Sequence, residues 1–369
     1  MPRILIVSVR AGAGHLKAAQ ALEVAFGKYQ PGADVKNVDL LDHSTELMKY
    51  LYGQLYLDVV KVFPELYAYG YKHYESSKKF TKPRFLIDRF NFSDMFGIVE
   101  DFNPDTVIGT HFISAALLEN YRRKKKKAFR IAVTLTDYEF HPVWVIPNVD
   151  LYFTATEEVK GSLSFYGITP ERIVPSGIPI HPKFSEEKEK KELLGKYGLN
   201  NQSPVVLISA GSFGVTPLGE VIADFGVIKD DFQIVVVCGN NAKLRKDLET
   251  KQKSELRLKK VFGFVDFMDE LMAMSDLLIT KPGGITVSES IAKGLPMIFI
   301  EPIPGQEEAN ADYLVEQGAG VKGRNLPVLI DKLGLLIRDP EKLADMSKRA
   351  KAISHPYAAK TIAEIIVKL

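Results

Sequence analysis

Short apolar runs without strict alternation constrain this chain more than any other feature. "ILIVSV", "DVKNVDL", "TVIGTH", "RIAVTLTD" and "DLYFTAT" mark the first half, and "VVLISA", "QIVVVCG", "LKKVFGF", "DLLITK" and "PMIFIE" the second. Several have no polar residue at every second position, as strands covered on both faces require. Longer amphipathic stretches separate them, so the pattern predicts an α/β fold with parallel, doubly wound sheets. A length of 369 residues accommodates two such domains. Their joint is expected within "VPSGIPIHPKFSEEKEKKELLGKYG", where Pro and Gly resist regular structure before a charged, solvated helix. That divides the chain into 1–178 and 179–354, with a closing helix over about 355–369 read from "AAKTIAEIIVKL".

Composition excludes several classes. The chain is 46% hydrophobic and 25% charged with a net charge of +2, which fits neither a disordered tail nor a nucleic-acid binder. The lone Cys238 excludes a disulfide framework and a cysteine zinc site, and fits a reducing compartment. "MPRILIVSV" passes straight into a glycine turn, so it reads as a first strand and not a signal peptide. No apolar segment reaches the length of a membrane-spanning helix. The expectation is a soluble protein, or one resting on a membrane surface.

One segment breaks the pattern. Leu47 to Phe96 is dense in Tyr and Phe interleaved with Lys and Arg, and far longer than an ordinary crossover. Such a mixture suits a lipid–water interface with anionic head groups. A helical insertion packed on the sheet is the plainer alternative. The basic run "RRKKKK", Arg122 to Lys127, reads as a solvated turn that adds at most some attraction to an anionic surface.

The stretch "SDLLITKPGGITVSESIAKGLPMIFIEPIPGQEEANADYL" carries the most chemistry. A strand ends at "ITK", Gly283 and Gly284 turn, and a helix begins that Gly294 closes. Free N–H groups and the positive helix end would then border a passage open to a pyrophosphate. Glu289, in that helix, is suited to accept both hydroxyls of a ribose. Gln306 and Glu307 follow the next strand in a loop and mix donor and acceptor groups for sugar hydroxyls. "SAGSFGV" offers Gly211, Ser212 and Gly214 over a phosphate, and "VFGFVDFM" offers Phe264 and Val265 to a base.

"TKPGGITVSESIAKGLP…PGQEEAN" resembles the donor-site signature of the glycosyltransferases that include monogalactosyldiacylglycerol synthases and processive diacylglycerol glucosyltransferases. It is also similar to the peptidoglycan N-acetylglucosaminyltransferase that acts on a lipid-linked acceptor. The resemblance covers nearly the whole chain. It implies a GT-B fold: two Rossmann-like domains facing a cleft, the C-terminal one for UDP-sugar, the N-terminal one for acceptor, with the last helix returning to the first domain. It implies inversion at the anomeric carbon, no bound metal and no cofactor, UDP-hexose being a substrate. Carried over, Gly283, Gly284, Ile285 and Thr286 would face the pyrophosphate, Glu289 the ribose, Phe264 and Val265 the uracil, and Gln306 with Glu307 the sugar. The peptidoglycan enzyme has two glutamines at the last pair; the Gln-Glu here favours the diacylglycerol branch.

"VRAGAGHLKAAQAL" follows the first strand. It lacks the third glycine of a dinucleotide fingerprint and the Lys-Ser/Thr of a Walker loop. The resembling family has "GGGH" or "GxGH" here, with the histidine facing the cleft. Gly12 and Gly14 match, whereas Ala11 and Ala13 depart. His15 at a helix N-terminus would be held neutral by the positive backbone end and could take a proton from an acceptor hydroxyl. "TLTDYEFHPVW" matches the family's "TDxxxHxxW" and contributes Asp137, His141 and Trp144, with His111 a further acceptor-side candidate. Either His15 or Asp137 fits the base. "SGIPIHPKF", around Gly177 and Pro179, matches the family's interdomain hinge.

The resulting expectation is an inverting transferase that moves glucose or galactose from UDP-hexose to a membrane lipid, diacylglycerol foremost, on the cytoplasmic face of the membrane. Rival readings keep the fold: transfer to a soluble acceptor, a UDP-sugar epimerase, or a sugar-nucleotide binder without turnover. No motif points to nucleic acid.

Overall fold

The computed structural model describes residues 1–10, 12–50, 92–209, 221–222, 224–300 and 302–369. The loop with Gly211, Ser212 and Gly214, and all but the ends of the aromatic-basic segment 47–96, lie outside the described residues. The chain divides into two units. The first comprises Met1–Pro182, Ile303–Gln306 and His355–Leu369, and the second Lys183–Pro302 and Glu307–Ser354.

The first unit is built on a parallel sheet of β1 (Arg3–Ser8), β2 (Asp34–Asp39), β3 (Thr106–Gly109), β4 (Arg130–Thr134), β5 (Leu151–Phe153) and β6 (Ile173–Val174). Their order is β2-β1-β3-β4-β5-β6. Alternate residues of β1 enter different cores. Ile4 and Ile6 pack with Leu22 and Phe26 of the Ala13–Tyr29 helix and with Ile362 and Ile366 of the Ala358–Ile366 helix. Leu5 and Val7 join Leu118, Val133 and Trp144 on the other face. This two-sided cover is why the run is apolar at every position. Each fully buried aliphatic side chain stabilises by about 1.5–3 kcal/mol.

The second unit has β7 (Val205–Ser209), β8 (Gln233–Val237), β9 (Leu258–Phe262), β10 (Leu277–Thr280), β11 (Met297–Phe299) and β12 (Gly320–Lys322). Their order is β12-β11-β10-β7-β8-β9, again all parallel. β6 and β12 have no counterpart among the runs picked from sequence. Both are edge strands of two or three residues, too short for a periodic signal.

Two local expectations change. The charged helix after the Pro-Gly joint, Lys190–Lys196, buries Leu193 and Leu194, and Tyr197 beyond it bonds Glu270 at 2.7 Å. It is packed on the second unit, not solvated all round. In "RRKKKK", Arg122 bonds the carbonyl of Phe129 at 3.1 Å and pairs with Asp150, and Lys127 pairs with Glu100. Both ends of the run are therefore tied into the fold. It ends the Phe112–Lys125 helix, about 20 Å from that helix's start.

Candidate functional site

In each unit several of the candidate residues follow strands beside the point where strand order reverses. β1 pairs with β3 and β3 with β4, so Val7, Gly109 and Val133 lie level and three carboxyl ends open side by side. Ligand-binding loops of open α/β sheets arise at such switch points.

After β1 the chain turns at Gly12, with φ 111° and ψ 158°, a region essentially closed to side chains. The helix starts at Ala13 and carries Gly14 and His15 in its first turn. Nδ1 of His15 lies 2.7 Å from the carbonyl oxygen of Thr110 and 3.0 Å from Oγ1 of Thr136. The Thr110 hydroxyl donates to the carbonyl of His15 at 3.0 Å. Thr110 and Thr136 are both buried, one residue beyond β3 and two beyond β4. His111 meets the His15 ring edge-on, with centroids 4.5 Å apart. Burial lowers the His15 pKa, while the Asp137 charge and the Thr110 carbonyl push back against it. Desolvation is thus the main cause, where the sequence pointed to the helix end.

The other acceptor-side candidates have evident structural work. His111 and His141 are buried caps: Nδ1 of each accepts a backbone N–H, from Ile113 and Val143, both at 3.2 Å. Trp144 is a core residue, 5.9 Å from Phe112 in an edge-to-face pair. Asp137 is half-buried in the loop between them and acts on His15 through its charge.

In the second unit β7 and β10 are neighbours. Pro282 and Gly283 lead from β10 into the Gly284–Ala292 helix, whose first N–H groups have no partner within the helix. Gly283 has ordinary φ, −69°, and Oε1 of Glu307 stands 3.8 Å from where a Cβ would be, an ordinary contact, so neither backbone nor packing within the chain demands glycine there. The side chain of Ile285 is buried, and Thr286 is half-buried. Glu289 is buried at 6% exposure, not a free surface carboxylate. Gln306 and Glu307, expected in a loop, instead open the Gln306–Glu316 helix after Gly305, whose φ is +92°, and the unit boundary falls between the two. Beyond β9, Phe264 is 66% exposed and Val265 half-buried.

Sequence reasoning missed three residues. Thr110 and Thr136 lie inside the quoted stretches "TVIGTH" and "TLTDYEFHPVW", but nothing local shows that they meet His15. Asn310, fully buried, donates its amide to the Pro282 carbonyl at 3.1 Å and ties the glycine turn to the Gln306–Glu316 helix. The "EEAN" spacing was its only signal. Among the described residues, no three His, Cys, Asp or Glu side chains converge as metal ligands, and no helix is long and apolar enough to cross a membrane.

Residues 15–180 match the family model for monogalactosyldiacylglycerol (MGDG) synthase, and residues 205–362 match that for the glycosyltransferase family 28 C-terminal domain. A processive diacylglycerol beta-glucosyltransferase of Bacillus pumilus is 32% identical, covering 99% of this chain and 94% of that protein. The enzyme of the same description from Bacillus cytotoxicus is 35% identical, over 100% and 94%. The chain belongs to the diacylglycerol glycosyltransferase family. His15 is the first residue of the synthase match, and residues 283–307 lie within the family 28 domain match. The fold also matches solved structures of Acinetobacter baumannii MurG, at TM-score 0.64 and 16% identity, and of the Neisseria meningitidis UDP-GlcNAc 2-epimerase, at 0.62 and 16%. Each match covers the whole of both chains. These likenesses are of fold: two Rossmann-like domains, as in GT-B enzymes.

Proposed function

We propose that this chain transfers glucose from UDP-glucose to the hydroxyl of diacylglycerol, with inversion. The observation that carries this reading is full-length likeness to proteins described as processive diacylglycerol beta-glucosyltransferases. The first unit then serves the acceptor and the second the donor. His15 takes the proton as the acceptor oxygen bonds to the anomeric carbon, and the bond from that carbon to the UDP oxygen breaks. Asp137 stabilises the imidazolium that forms. Backbone N–H groups of Gly284, Ile285 and Thr286, with the positive helix end, hold the pyrophosphate as negative charge develops on it. Glu289 accepts from the ribose, Phe264 and Val265 hold the uracil, and Gln306 with Glu307 read the sugar. The chemistry assigned here needs no metal or further cofactor.

The aromatic and basic composition of 47–96 supports peripheral attachment to an anionic membrane, on the cytoplasmic face where UDP-sugars are made. The Arg122–Lys127 run is at the far end of its helix from His111, so it is not assigned to the acceptor.

The test is incubation with UDP-glucose or UDP-galactose, with and without diacylglycerol vesicles, following UDP and lipid products. Lipid-dependent UDP release with a new glucolipid is expected. Galactolipid alone would overturn the sugar, and UDP release indifferent to lipid would overturn the acceptor. Glu289→Ala should weaken UDP binding in calorimetry while leaving the fold intact; unchanged affinity would overturn its assignment.

A further inference from the structure

A carbonyl oxygen has no proton to give. The 2.7 Å contact between Nδ1 of His15 and the carbonyl of Thr110 is therefore a hydrogen bond only if Nδ1 carries the hydrogen. The Thr136 hydroxyl, 3.0 Å from the same nitrogen, is chemically able to donate to a bare Nδ1. That arrangement would set the Nδ1 lone pair against the Thr110 oxygen at 2.7 Å. With Nδ1–H in place, both oxygens accept from one hydrogen and the repulsion disappears.

We propose that Thr136 is a positioning residue which, together with the Thr110 carbonyl, holds His15 as the Nδ1–H tautomer, so that Nε2 is the atom that takes the acceptor's proton. This rests on the reading of His15 as the base and specifies which nitrogen acts and what fixes it. The second bond of Thr110, from its hydroxyl to the His15 carbonyl at 3.0 Å, locks the backbone beneath the ring. Because Thr110 and Thr136 are buried, water does not compete for these bonds.

The neighbouring histidines show the opposite arrangement. His111 and His141 use Nδ1 as the acceptor of a backbone N–H, so their neutral rings carry hydrogen on Nε2. Of these three, His15 alone presents a bare Nε2. Among the described residues, the titratable groups that face it are Asp137, through its charge, and His111, edge-on. When the acceptor O–H breaks, its proton goes to Nε2 and its oxygen to the anomeric carbon, and UDP leaves with the electron pair of the bond it loses. The ring becomes a cation and its Nδ1–H bonds become charge-assisted, strengthening as the reaction proceeds.

The test has two readouts. In the full chain labelled with 15N-histidine, with His15 assigned by loss of its signals in His15→Gln, long-range proton–nitrogen correlations at pH 8 should show a protonated Nδ1 and a bare Nε2. A reversed or rapidly averaging ring would overturn the proposal. Thr136→Val keeps the shape and removes the oxygen. It should lower kcat about tenfold, part of the roughly 10²–10⁴-fold that a positioned base supplies. The acid limb of its pH profile should move to lower pH, because the imidazolium loses an acceptor, and the KM for UDP-glucose should stay within about twofold. Thr136→Ser, which restores the oxygen, should recover most of the rate. Wild-type kcat with an unmoved acid limb in Thr136→Val, or equal damage in Thr136→Ser, would overturn it. Should Thr136→Val melt below assay temperature, the serine variant and the wild-type spectrum decide. Full activity in His15→Gln would instead remove the base reading itself, while the spectrum would still report the tautomer.

Discussion

The ring of His111 stands edge-on to that of His15, with planes 86° apart and centroids at 4.5 Å. The same His111 caps its own helix by accepting from Ile113. One buried ring thus starts the Phe112–Lys125 helix and forms a wall of the site.

Two substitutions separate these duties. His111→Asn retains an oxygen able to accept the Ile113 N–H, whereas His111→Ala does not. Chemical denaturation should show the alanine variant less stable than the asparagine variant by about 1 kcal/mol. Both remove the ring beside His15, so both should lower kcat. Equal stability of the two would show that the cap contributes nothing.

Stability should fall on acidification. Burial lowers the folded-state pKa of His15 and of His355 from about 6.5. Above that value both states are neutral and these residues contribute no pH dependence. Below it the unfolded chain binds protons that the folded chain does not, so stability drops until the lower folded pKa values are passed. Thermal melts between pH 7.5 and 5 should show this fall, with His355→Gln reducing its slope. A slope unchanged by that substitution would remove His355 from the account.

Gly177 is constrained twice. Its φ is +84°, and a Cβ there would sit 2.2 Å from Cβ of His355. Gly177→Ala should cost at least about 1–3 kcal/mol from backbone strain alone, and more from the clash. Adding His355→Gly should recover the steric part only, leaving a measurable coupling between the two sites in a double-mutant cycle. Strictly additive effects would mean that the contact carries no energy.

Asn310→Ala leaves the Pro282 carbonyl without its amide donor. Losing a buried partner costs about 1–3 kcal/mol. Because that bond holds the turn before Gly283, calorimetric affinity for UDP should weaken as well. Normal UDP affinity in a destabilised Asn310→Ala would confine the residue to a structural role.

The sequence by itself determined what is local. The β-branched runs became strands buried on both faces, since Ile4 and Leu5 could not each find a core otherwise. Gly12 and the Gly283–Gly284 turn marked the two helix starts, and at Gly12 the reason is a backbone conformation that side chains rarely adopt. The motifs carrying Glu289, Gln306 and Glu307 declared the family without any structure. Tertiary structure decided what depends on pairing between distant strands. Only the placement of β3 and β4 beside β1 brings the Thr110 carbonyl and the Thr136 hydroxyl onto Nδ1 of His15. Only the fold turns Trp144 and the side chain of Ile285 inward and ties Asn310 to Pro282. Periodicity records which face of an element is apolar, whereas a tautomer or a buried hydrogen bond depends on groups that only the folded sheet brings within 3 Å.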